Sequence, residues 1–190
     1  MKVCLLGNAT SVHLRRLAAG LAARRINVTI LSHKPGELAG VAVERYAVPS
    51  WSLRALQGWS GRARSYWRGV FRRFDVVNQH FLHDWGFDPE LARGGCFVVR
   101  AYGSDVVAPR GESVAPPALV TRRVELLRAA RLVATAGPRF AATVAQFAGL
   151  QVEDIALLPF GVDLDLFAPA RFGGGGAPTD PCVGFFKGFR

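Results

Sequence analysis

Met1-Lys2-Val3-Cys4-Leu5-Leu6-Gly7-Asn8-Ala9-Thr10-Ser11 opens the chain, and Ile26-Asn27-Val28-Thr29-Ile30-Leu31-Ser32 follows one helix length later. Residues 2–6 form the continuous apolar run that a parallel strand buried on both faces requires. The run breaks at Gly7-Asn8, and Ser11 stands where an N-cap belongs, ahead of a helix carrying Leu14, Leu17, Ala18 and Leu21 on one face. Residues 28–31 supply the next strand. The opening is therefore a βαβ unit, whose crossover is right-handed in nearly all folds.

The same alternation continues downstream. Strands are predicted over 43–48, 75–78, 96–101, 132–135 and 155–158, the last ending before Pro159. Helical patterns intervene over 53–74, 119–130 and 138–147, with Gly149 placed to stop the third. Strands alternating with helices predict an α/β fold, a Rossmann-like doubly wound parallel sheet. Ligands of such sheets bind outside the carboxyl ends of the strands. Three loops there carry unusual polar residues: 7–13 after the first strand, 80–85 after the fourth, and Tyr102-Gly103-Ser104-Asp105 after the fifth.

Each loop has two readings. The first holds a single glycine and lacks G-x-G-x-x-G, so it is not a dinucleotide fingerprint. A helix starting near Ser11 still offers free amides and a partial positive charge to an anion, and His13 is either an anion-facing group or a plain first-turn surface residue. His80 and His83 are either cleft groups or satisfied structural histidines. Asp105 either caps its own turn or hydrogen-bonds a substrate hydroxyl. No Ser/His/Asp order, zinc-type pair or P-loop is present, so no metal site is expected.

Composition bounds the partners. In 190 residues with 50% hydrophobic content there is ample material for one core, which excludes disorder as the overall state. Cys4, Cys96 and Cys182 sit in apolar runs without metal-ligand spacing, as buried thiols of a reducing cytosol do. No run reaches the roughly 18 apolar residues of a membrane span. The net charge of +10 favours anionic partners. It is concentrated in residues 51–74, where Arg54, Arg62, Arg64, Arg68, Arg72 and Arg73 occur with no acid before Asp75. In that segment Trp59, Ala63, Trp67, Val70 and Phe74 recur at helical spacing. The stripe suits either an interfacial helix on an anionic membrane surface or, as the favoured reading, a crossover helix packed on the sheet with its arginines in solvent.

These motifs, in this order, resemble the N-terminal half of a GT-B glycosyltransferase of the large retaining family 4. Phe74-Asp75-Val76-Val77-Asn78-Gln79-His80-Phe81 is similar to the family's D-x-V-H-x-H-Y/F strand, with Asn78 in place of the first histidine. Tyr102-Gly103-Ser104-Asp105-Val106 resembles its H/W-G-S-D-V turn, and Ala129-Ala130-Arg131-Leu132-Val133-Ala134-Thr135-Ala136 its A-D-x-V-x-x-x-S strand. Leu158-Pro159-Phe160-Gly161-Val162-Asp163-Leu164-Asp165-Leu166-Phe167 is similar to P-N/F-G-V-D-x-x-x-F, the segment leading out of the first lobe.

The resemblance implies three parts: a Rossmann-like acceptor-binding domain over 1–163, an interdomain linker over 164–181, and the first strand of a nucleotide-sugar-binding domain over 182–190. That last piece, an orphan C-terminal strand after the glycine-rich run Gly173-Gly174-Gly175-Gly176, is expected to open a donor lobe otherwise missing from these residues. The resemblance further implies retaining transfer of a sugar from a nucleotide-sugar co-substrate to a lipid-linked or polysaccharide acceptor, with no cofactor and no obligatory metal, by a lobe inactive alone. Asn8, Ser11, His13, His80, Tyr102, Gly103, Ser104, Asp105 and Gly161 are the expected cleft residues. His80, Tyr102 and Asp105 are the catalytic candidates, and Lys187 the donor diphosphate group. An exposed half-cleft would also favour association. The rival reading is a non-catalytic basic module that holds an anionic ligand or membrane surface. Nucleic acid is not expected as a partner, because the aromatics lie on helices and strands rather than on a stacking platform.

Overall fold

The structure, a computed structural model, describes residues 1–45, 61–82, 89–107 and 117–161. By compactness the chain divides into Met1–Pro159 and Phe160–Arg190, and the architecture that follows is that of the first unit. The expected linker, the strand over 182–190, Cys182 and Lys187 lie outside the described residues, as do His83, Trp51 and Trp59.

Seven strands build one sheet: β1 (Lys2–Leu6), β2 (Asn27–Ser32), β3 (Ala42–Arg45), β4 (Val76–His80), β5 (Phe97–Arg100), β6 (Leu132–Thr135) and β7 (Ile155–Leu157). Their order is β3-β2-β1-β4-β5-β6-β7, and every pairing is parallel. The order reverses between β1 and β4, which makes the carboxyl ends of those two strands the topological switch point. Among the described residues five helices accompany the strands: α1 (Val12–Ala23), α2 (Gly61–Arg73), α3 (Pro89–Arg93), α4 (Pro117–Ala129) and α5 (Pro138–Ala148). A 3-10 turn, Val152–Asp154, leads into β7.

Strand side chains alternate between the two faces, and the core divides accordingly. Val3, Leu5, Val28 and Ile30 bury one face against Leu14 and Ala18 of α1. Cys4, Leu6, Leu31, Val77, Phe97, Val99 and Val133 bury the other against Trp67 of α2, Leu126 of α4 and Val144 of α5. The sheet is thus packed on both sides, as the unbroken apolar runs demand.

Boundaries move where polar residues lie inside strands. β4 runs two residues past the expected 78, because Gln79 and His80 pair with Val99 and Arg100 of β5. Short α3 escaped sequence reading, five residues giving too little periodicity. Gly149 closes α5 in the left-handed conformation expected of it.

The stripe of α2 packs inward: Trp67 is wholly buried, and Val70 and Phe74 nearly so. Each such large apolar side chain contributes about 2–3 kcal/mol on burial. The interfacial-helix reading of these three is corrected accordingly, since a side chain in the core is not available to lipid. Arg64, Arg68 and Arg72, four residues apart, remain exposed on the other side of the helix, while Arg73 reaches Glu44 at 2.6 Å. Among the described residues no helix is long and apolar enough to cross a membrane.

Candidate functional site

Three turns leave the carboxyl edge at the switch point, and each is fastened differently. After β1, Gly7 donates its N–H to Leu31 O at 3.0 Å. A Cβ on Gly7 would lie 2.6 Å from Leu14 Cδ1 and 3.2 Å from His80 Cβ, so this glycine serves close approach of three elements rather than a phosphate. Asn8 Oδ1 accepts from the Thr10 N–H at 3.0 Å and the Thr10 hydroxyl at 2.8 Å, an Asx turn. Buried Ser32, unremarked in the sequence, accepts from the amides of Ala9 and Lys34 and ties this turn to the end of β2. Ser11 occupies the N-cap of α1 with extended backbone, yet its hydroxyl makes no capping bond. The capping expectation holds for its position and fails for its chemistry.

After β4 the chain turns at Phe81, whose φ of 74° places a bulky side chain in the left-handed region. Two bonds hold it there: Phe81 N–H to Arg100 O at 3.1 Å, and Gln79 Nε2 to Phe81 O at 3.0 Å. Such strained residues persist only where the surroundings over-determine them, commonly beside sites.

After β5, Asp105 is completely buried. Its carboxylate accepts from Gly103 N at 2.7 Å, from Tyr102 N at 3.1 Å and, across to the β4 turn, from Leu82 N at 3.0 Å. This is the turn-capping alternative, and it withdraws Asp105 from the cleft and from the catalytic candidates. Gly103, at φ 149°, supplies the conformation the turn needs. Ser104, the neighbouring residue, is exposed.

The three turns bring together an aromatic and basic cluster. His80, the last residue of β4, is nearly buried, with Nδ1 2.5 Å from the Tyr102 hydroxyl. Around Tyr102 stand exposed His13 at 6.0 Å between ring centroids, Phe81 at 6.0 Å in a stacked arrangement, and the Arg100 guanidinium carbon 5.5 Å from the ring centroid. Arg100 also donates to Leu158 O at 2.6 Å. Burial, reinforced by the positive charges of Arg100 and His13, pushes the His80 imidazole down to about 3. Burial pushes the Tyr102 phenol up to about 12, with Arg100 pulling against it. At neutral pH both groups are uncharged.

Of the expected residues, then, His13, His80 and Tyr102 converge, while Asn8 and Asp105 are engaged in holding their turns. Gly161 is exposed and falls in the second unit. Arg100 and Phe81 were missed. Arg100 had a signal, a lone cation inside the apolar strand Phe97-Val98-Val99-Arg100-Ala101.

Residues 10–166 match the sequence profile described as Glycosyltransferase Family 4. The chain belongs to glycosyltransferase family 4. Its fold is that of two solved structures. Anabaena HepE in complex with UDP-glucose is 16% identical with a TM-score of 0.59, the match covering 90% of this chain and 47% of that one. A glycosyltransferase from Rickettsia africae is 12% identical with a TM-score of 0.61, covering 91% of this chain and 46% of its own. This family 4 chain therefore spans less than half the length of either. No curated protein matches it.

Proposed function

We propose that this chain is the acceptor-side lobe of a family 4 glycosyltransferase, which moves a sugar from a nucleotide-sugar to a hydroxyl of a lipid-linked or polysaccharide acceptor with retention. The single observation that carries this reading is the convergence of His13, His80, Tyr102 and Arg100 at the switch point of a chain that matches the family over residues 10–166. None of His80, Tyr102 and Asp105 is poised as a general base near neutrality. His80 is too weakly basic, Tyr102 too weakly acidic, and Asp105 is held by three amides. The wall therefore binds and orients. Charge developing on a leaving diphosphate would be met by preorganised cations and amides of a facing donor lobe, among which Lys187 is the proposed contributor. The chain's share of its neighbours' length supports a two-lobed enzyme, the lobe over 1–163 being inactive alone.

Backbone NMR of the chain, titrated with UDP-glucose and with a panel of soluble oligosaccharides, tests the assignment. Shifts concentrated in residues 7–13, 80–82 and 101–107 are expected. Shifts confined elsewhere, or none with any sugar, would sink it. Sugar turnover by this chain alone would remove the inactivity proposal.

The rival, a basic module on an anionic surface at the cytoplasmic face of a membrane, draws on the exposed row Arg64, Arg68 and Arg72. Co-sedimentation with liposomes separates them, since binding indifferent to acidic lipid ends the membrane proposal.

A further inference from the structure

Beside α2 lies an open cavity of about 610 Å³, none of whose described lining residues belongs to the cluster of His13, His80, Tyr102 and Arg100. Leu31 near the end of β2 and Val70 of α2, both buried, form its inner wall. Half-buried Glu44 and exposed Arg45, at the end of β3, and exposed Arg73 line its outer part. Tyr66, held edge-on to Trp67 at 5.1 Å between ring centroids, adds an aromatic ring. Gly69 lines the cavity from mid-helix, where glycine is less stable than alanine. Packing does not require it there, since a Cβ would meet nothing within 4 Å. What the missing side chain leaves is room.

Charge selects the occupant. Side chains four apart share a lengthwise row of a helix, so Gly69 and Arg73 lie in one row and exposed Arg64, Arg68 and Arg72 in the next. Successive arginines of that row are rooted about 6 Å apart. Residues 61–73 contain no acid, and Glu44, which Arg73 already holds at 2.6 Å, is the only carboxylate among the described lining residues. Arginine forks of this kind grip carboxylate or phosphate two oxygens at a time. A bilayer is the poorer match, because an interfacial helix inserts an apolar face, and Trp67, Val70 and Phe74 of this helix lie in the core.

We propose that the face formed by α2 and the end of β3 binds an anionic glycan, one sugar unit seated in the cavity against Tyr66 and acidic groups running along Arg68 and Arg72. For its purpose the proposal rests on the glycosyl-transfer reading, and it names the acceptor class: a polysaccharide bearing carboxylate or phosphate. In the order β3-β2-β1-β4, β3 stands three strand spacings, about 14 Å, from β4. An acceptor several sugars long reaches from this face to the carboxyl edge.

Calorimetry and backbone NMR of the chain test it with five probes: hexagalacturonate, a phosphorylated maltohexaose, plain maltohexaose, a single-stranded DNA hexamer and phosphatidylglycerol vesicles. One charged glycan is expected to bind at least about tenfold more tightly than plain maltohexaose or the DNA, shifting residues 44–45 and 64–73. Gly69→Leu, which fills the cavity and leaves every charge in place, is expected to weaken it about tenfold, as is the pair Arg68→Gln and Arg72→Gln. Glu44→Gln, which removes the opposing carboxylate, is expected to tighten it about twofold, each variant being checked for a folded spectrum. Undiminished affinity of Gly69→Leu, or equal affinity for the DNA, would reveal a charge sink and overturn the site; binding to the vesicles alone would overturn it in favour of the membrane. Failure of both charged glycans overturns it too, and leaves the acceptor-side reading intact where plain maltohexaose still shifts residues 80–82. A charged glycan that shifts 44–45 and 64–73 while no sugar shifts 7–13 or 80–82 upholds the site and sinks that reading.

Discussion

The turn after β1 and the turn after β5 leave the same sheet edge, and each places a short polar side chain where the strand ends. The Asn8 side chain, half-buried, bonds within its own loop, to Thr10, and a separate residue, Ser32, anchors that loop to its neighbour. Asp105, fully buried, performs both tasks, capping its own turn and holding the β4 turn through Leu82. The same chemistry, a side-chain oxygen accepting backbone amides, is local and replaceable in one case and joins two strands' turns in the other. Burial decides the difference, because an amide orphaned in solvent finds water and one orphaned in the core does not.

The comparison is broken most forcefully at Asp105. Asp105→Ala strands three amides, that of Leu82 buried and those of Tyr102 and Gly103 partly buried, and is expected to cost about 3 kcal/mol in urea unfolding. Asp105→Asn keeps one acceptor oxygen and should lose less. A loss under about 1 kcal/mol for the alanine variant would mean the two turns are fastened alike.

His80, which lies between the two turns, gives the next effect, through pH. Its value falls from 6.5 to about 3 on folding. Between those values the unfolded chain binds the extra proton, so the contribution is complete above 6.5 and is lost as pH falls toward 3. Two units below 6.5 the loss is about 2–3 kcal/mol. Denaturant titrations at pH 4.5 and 7 should show a smaller difference for His80→Asn than for wild type; equal differences would place the imidazole in solvent.

Gly7→Ala tests whether the first turn depends on close approach rather than on its Asx bonds. A methyl 2.6 Å from Leu14 Cδ1 and 3.2 Å from His80 Cβ must push the buried Leu14 side chain aside and press on His80, at about 1–3 kcal/mol. Shifts in the His80 ring resonances should accompany it.

How far this was legible follows from the same residues. Parallel strands buried on both faces announce themselves as apolar runs, so β1, β2 and β6 could be placed from their own composition. Gln79 and His80 could not, because their strand character comes from hydrogen bonds to β5, a tertiary cause that outweighs local polarity. The meeting of His80 with Tyr102 likewise depends on register: pairing His80 with Arg100 sets Tyr102 just beyond. Motif resemblance nominated both residues separately. Nothing local to either predicted that they touch; for Asp105 the capping of its own turn was legible as an alternative, and its bond across to Leu82 was not.

Asn8 gives the smallest effect and the sharpest contrast. If its carboxamide only tidies an exposed loop, Asn8→Ala should cost at most about 1 kcal/mol, since Thr10 N–H can turn to water and the Ala9 amide stays on Ser32 Oγ at 2.9 Å. Ser32→Ala removes that buried acceptor from two amides and should cost more than Asn8→Ala, reversing the order that prominence in the motif would suggest. Hydrogen exchange at Ala9 and Thr10 reads the two apart: Ser32→Ala should expose Ala9, Asn8→Ala only Thr10. Faster exchange at Ala9 in the Asn8 variant would show the Asx turn holding the whole loop, and the distinction between a local and a joining acceptor would not survive.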